Sequence, residues 1–228
     1  MTTRYFLSFP ASVPLAHEIE ALLELQIHSP TEKVVPHVER LMELFVPTFL
    51  KGALTDVGDA AMLSPRANKV IASAVATIAK TVSFMLGKMI KKRSNEELAE
   101  LIEFIGDTYI SSGQCSSGVT SIGCDIGEDL FVNLKRLMGE VRKGNLEEVR
   151  EEQGEVMIQI VNKYIDNMMQ NMIDTLSVNF VVKKICNAAV ATCRGAGHMV
   201  VNRVFKGMDE EAMINVVDFF EDRLVTAG

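Results

Sequence analysis

Apolar residues recur three and four positions apart along nearly the whole chain, the spacing that places side chains on one face of an α-helix. Alternation of apolar and polar residues never persists for more than a few positions, so the pattern predicts an all-α protein. A first helix is expected from Pro14 to Ile27, with Leu15, Ile19, Leu22 and Leu23 on its buried face and His28-Ser29-Pro30 ending it. A second is expected from Thr31 to Lys51 through Val34, Val38, Leu41, Leu44, Phe45 and Val46, kinked at Pro47. Ser64 before Pro65 reads as an N-cap followed by a first-turn proline, opening a third helix that runs to about Lys92. Along it Ile71, Val75, Ile78, Val82, Met85 and Met89 form a heptad-like seam. Ser94 and Glu97 make a capping box for a fourth helix, which fades near Ile110.

The same punctuation then recurs. Shifting the sequence against itself by 115 residues aligns its halves without a gap. Leu15/Leu130, Leu22/Leu137, Val34/Val149, Met42/Met157, Asp59/Asp174, Lys69/Lys184, Phe104/Phe219 and the run Ala74–Thr77 against Ala189–Thr192 are identical. Caps coincide as well: Ser64 falls on Asn179 and Ser94 on Asp209. The expected architecture is a tandem duplication of a four-helix unit, residues 1–112 and 124–228, joined by a Ser/Gly-rich linker at 113–123 and packed about a pseudo-two-fold axis. Ala72, Ala76 and Ala79 suggest close approach of the third helices near that axis. Asp59 and Lys69, like Asp174 and Lys184, are expected to pair across the start of that helix.

Composition narrows the class. With 48% hydrophobic residues, 23% charged residues and a mean hydropathy of +0.17, the chain can bury a sizeable core. A net charge of −7 argues against a nucleic-acid binder, which needs basic surface to displace counterions. Four cysteines, 13 methionines and no tryptophan fit an adaptable core in the cytoplasm, and residues 1–12 lack a signal-peptide pattern. Lys80 and Lys88 interrupt the apolar stretch Val70–Ile90, which is expected to be a buried core helix and not a transmembrane segment.

Candidate chemistry is sparse. Cys115 and Cys124, then Cys186 and Cys193, have no usual zinc spacing, and Cys186 and Cys193 fall on the apolar seam, so they read as core thiols. Cys193 and His198 diverge on a helix, and no inward Glu-x-x-His pair recurs between the halves. No catalytic residue, metal site or cofactor is therefore assigned. The third helix does change character between the halves: Asn187, Arg194, His198 and Asn202 form one polar, cationic stripe where the first half carries Ala72, Ala79, Ser83 and Gly87. That stripe is a candidate site for an anionic ligand. Met157, Met168, Met169 and Met172 read as core, or as an adaptable groove for a partner helix or a fatty ligand. The expected role is a non-enzymatic module that binds a protein partner or a small apolar or anionic ligand, with homo-oligomerisation possible. The alternatives are an enzyme or sensor using the stripe, and a membrane-surface protein using Lys91–Arg93.

Overall fold

In the computed structural model, residues 3–28, 33–90, 93–113, 118–176 and 178–227 are described. Most of the chain is helical. The first half runs β1 (Arg4–Pro10), α1 (Val13–His28), α2 (Val35–Leu50), a π-helical turn π1 (Lys51–Thr55), α3 (Asp56–Ala60), α4 (Pro65–Met89), α5 (Asn95–Thr108) and β2 (Tyr109–Ile110). The second runs β3 (Ser121–Asp125), α6 (Glu128–Arg142), α7 (Leu146–Ile165), π2 (Asp166–Gln170), α8 (Asn171–Thr175), α9 (Phe180–Arg203), a short 3-10 turn, α10 (Glu210–Glu221) and β4 (Leu224–Ala227). Each element of the first half thus has a counterpart about 115 residues on, and the π turns and the short helices after them coincide residue for residue.

The helix ends obey their local chemistry. Ser64 Oγ accepts from the Ala67 amide, Asn179 Oδ1 from the Val182 amide and Asp209 Oδ1 from the Ala212 amide. Ser94 and Glu97 form the reciprocal capping box. Pro47 lies inside α2, one turn before π1, but π2 follows Asn162 at the equivalent place. Proline is therefore not what creates the π turns.

The all-α expectation holds for most of the chain, to which a small four-stranded sheet is added. Its strands are short, and β1 is buried on both faces from Phe6 to Phe9, so no alternation betrays it. Residues 121–123, expected in the linker, belong to β3, a central strand. The order is β2-β3-β1-β4, antiparallel throughout. Among the described residues every strand pairing joins one half to the other. The register is itself symmetric: Leu7 faces Cys124 while Phe9 faces Ile122, and Leu7–Leu224 corresponds to Ile122–Tyr109 under the 115-residue shift.

Helices α4 and α9 pack extensively on each other and tie the two main cores together. Ile71 and Ala74 of α4 lie in the core built mostly by the second half, whereas Met85, Leu86 and Met89 lie in the other. Their counterparts Cys186 and Ala189 of α9 lie in the core built mostly by the first half. Ala72 and Ala76 do not mediate this contact, because they are exposed. Nor is α4 a buried helix. It is long and apolar enough to cross a membrane by length and composition, yet only 22% of its most apolar window is buried. Asp174 pairs with Lys183, not Lys184, whose ammonium lies over the Phe180 ring instead. Among the described residues no ion pair joins Asp59 to Lys69. Lys91, Lys92 and Cys115 lie outside the described residues, and Arg93 pairs with Glu97 at 2.5 Å.

Candidate functional site: an apolar void between the halves

Helices α2 and α4 of one half and α7 and α9 of the other, with β1 across one end, border a void of about 160 Å³. Equivalent positions of the two halves line it: Met42 and Met157, Val46 and Val161, Phe49 and Tyr164, Leu50 and Ile165. Both π turns reach it, through Ala53 and Leu54 on one side and Met168 and Met169 on the other. A π turn widens the helix locally and turns side chains away from their α-helical direction, which is why such turns concentrate at functional sites.

The walls carry no Asp, Glu, Lys, Arg or His. Their polar groups are accounted for. The Tyr164 hydroxyl is fully buried and donates to the Leu7 carbonyl, and burial holds its pKa well above the ordinary phenol value. The Cys193 thiol is pushed up to about 11 by desolvation, so it stays protonated and unreactive near neutral pH. Rings frame one side: Phe49 meets Phe9 edge-on at 5.9 Å between centroids and Tyr164 at 5.2 Å. Walls of this kind offer water no hydrogen-bond partners, and an enclosed cavity of about 150 Å³ lined by aliphatic and aromatic side chains accepts benzene.

The halves differ where they meet the void. Gly197 stands opposite Val161, and a Cβ added there would lie 2.6 Å from Val161 Cγ1, so α7 and α9 close up on each other. Val82 occupies the equivalent position on α4 and lines the void. Ile78 is matched by Cys193, and Ala53 by Met168. A compensating pair sits beside the void. Phe9 packs against Gly52, where a Cβ would come within 2.8 Å of the Phe9 Cβ; at the equivalent positions Cys124 accepts from the Asn167 amide at 3.0 Å.

The polar stripe lies elsewhere. Arg194 forms an ion pair with Asp166 at 2.6 Å, and His198 hydrogen-bonds Asn162 at 2.8 Å, so both link α9 to the α7–π2 segment. Asn187 and Asn202 are exposed. None of the four lines the void. Helix α9 continues unbroken through Gly195-Ala196-Gly197. Cys124, Cys186 and Cys193 are buried free thiols, and among the described residues no group of three His, Cys, Asp or Glu side chains is placed to hold a metal ion. A larger cleft of about 910 Å³ opens between the α3–α4 loop and the α9–α10 junction, with Arg66, Arg203, Asp209 and Glu211 in its walls.

The methionine cluster was the sequence signal for this site, since Met157, Met168, Met169 and Met172 all line the void. Phe45, Phe49 and Tyr164 carried no comparable signal: helical spacing marks them as core, and only the fold shows that the core is incomplete there. In comparisons with known proteins, no family model, curated protein or solved structure matches the chain.

Proposed function

We propose that the chain is a tandem duplication whose two halves pack about a pseudo-two-fold axis, and that it is a non-enzymatic module binding a small apolar molecule in the void between them. The duplication is supported by the coincidence of element boundaries, caps, π turns and strand register under one 115-residue shift. The observation that carries the binding reading is an apolar, aromatic- and methionine-lined space at the junction, bordered by a π turn from each half. The reading of Arg194 and His198 as an anion site has less support, because Arg194 Nη2 already pairs with Asp166 and neither residue lines the void.

Benzene and toluene test the binding reading by thermal denaturation. A ligand bound only by the folded state stabilises it by RT ln(1 + [L]/Kd), about 2.7 kcal/mol at a hundred times Kd. Both compounds are expected to raise Tm in a saturable way. Replacing Ala53 with Met, the residue of the other half at the equivalent position, is expected to fill the space and remove the effect. Absence of any shift in the wild type, or an equal shift in Ala53→Met, would reject the void as a binding site.

A further inference from the structure

The void shares one wall residue, Met168, with a second space of different character. This neighbouring cleft, about 360 Å³, mixes polar and apolar walls. Its charged side chains are Arg4, Asp107, Asp125 and Lys163. Arg4 is held by both aspartates, at 3.3 Å to Asp107 and 3.5 Å to Asp125. Asp125 also accepts from the Gly127 amide at 2.9 Å. Both carboxylates are therefore engaged, and Lys163, exposed on α7, pairs with no carboxylate among the described residues.

Met168 is half-buried in π2 between the two spaces. Its side chain is unbranched, with three rotatable bonds, so it can leave one rotamer for another without moving the backbone. The equivalent residue, Ala53, is too small to divide anything. An apolar space bordered, across a methionine able to change rotamer, by a mixed cleft whose Lys163 has no carboxylate partner among the described residues fits a molecule with an apolar end and an anionic end.

Resting on the void as a binding site, we propose that the ligand is a short-chain carboxylate: a tail of roughly six carbons in the void, matching the benzene-sized capacity, and a carboxylate at Lys163 in the outer cleft, with the Met168 side chain swung aside. The tail is uncharged because no wall residue of the void can neutralise a charge. The carboxylate gains a charge-assisted hydrogen bond that a hydroxyl head of similar size does not.

Calorimetric titration of the full chain with hexanoate, 1-hexanol and benzene at neutral pH and low salt tests this. Hexanoate is expected to bind about tenfold more tightly than 1-hexanol, a typical gain for one charge-assisted contact. Lys163→Gln is expected to bring hexanoate down to the level of 1-hexanol while leaving 1-hexanol and benzene unchanged. In the complex, nuclear Overhauser contacts are expected from the ligand's terminal methyl to the Phe49 ring and from its α-methylene to the Lys163 side chain. Equal binding of hexanoate and 1-hexanol, or loss of all three ligands together in Lys163→Gln, would overturn the headgroup assignment. Binding of benzene without hexanoate would overturn it while leaving the void as an apolar site. If no probe bound, both proposals would fall.

Discussion

Two glycines of one helix, two residues apart, offer a sharp test of how closely α7 and α9 are packed. A methyl group added at Gly195 meets nothing within 4 Å, whereas one added at Gly197 would lie 2.6 Å from Val161 Cγ1. Both sit inside α9, where alanine is favoured over glycine by about 1 kcal/mol. Gly195→Ala should therefore stabilise the protein by close to that amount. In Gly197→Ala the same gain is opposed by overpacking. Val161 is β-branched and held near one χ1 rotamer in α7, so relief requires the helices to separate, at a cost of about 1–3 kcal/mol. The two variants are thus expected to differ by about 2 kcal/mol, with Gly197→Ala the less stable. Urea unfolding followed by both circular dichroism and tyrosine fluorescence measures the difference and checks that the transitions coincide. In a Val161→Ala background, where the opposing methyls are gone, the gap should shrink to a few tenths of a kcal/mol. Equal stabilisation by the two alanines in the wild-type background would show that Gly197 is not a point of close approach, and the account of the void's unequal sides would fail with it.

Other consequences are open to measurement. Burial pushes the Cys124 thiol up to about 12 from an ordinary value near 9, so the native state favours its protonated form. That contribution is complete below pH 9 and is lost as pH rises towards 12, at up to about 1.4 kcal/mol per pH unit; chemical unfolding between pH 8 and 11 should show a slope that Cys124→Ala reduces. Alanine at Ser64, Ser94, Asn179 or Asp209 removes a side-chain cap, and each is expected to cost about 1 kcal/mol in the same unfolding assay. Because Arg4 pairs with Ala227, a circular permutant joined there by a short linker and opened between Gly113 and Gly118 is expected to fold with a Tm close to the parent's. The isolated segment 1–113 is expected to show little cooperative unfolding, since both sheet partners of β1 lie in the other half.

Much of the helical layout was legible in the sequence because its signals are local. A cap needs only a short polar residue before an apolar run, and the capping box at Ser94 and Glu97 was recognisable from spacing alone. The strands gave no such signal: β2 has two residues, β4 four, and β1 is buried on both faces. Their existence depends on partners far away in sequence, as Phe6 against Val225 illustrates. The same limit applies to the site. Met157, Met168, Met169 and Met172 stood out as adaptable side chains, but whether they fill a space or border one is a property of the assembled helices. Arg194 and His198 attracted attention for their charge and spacing; their partners Asp166 and Asn162 come from another helix and could not be read from the stripe itself.

The arrangement of the sheet also constrains the order in which the molecule can be built. The Arg4–Ala227 pairing brings together residues more than two hundred positions apart, and among the described residues no strand pairs with a strand of its own half. The entropy of closing such a loop grows only slowly with length, but the search is slow, because most of the chain must be collapsed before the strands meet. Helices can form and dock early, and the sheet is then the last seam to close. Until it does, β1 presents an open edge to any other extended chain, so the interval before closure, and not the finished fold, is when this protein is most exposed to aggregation.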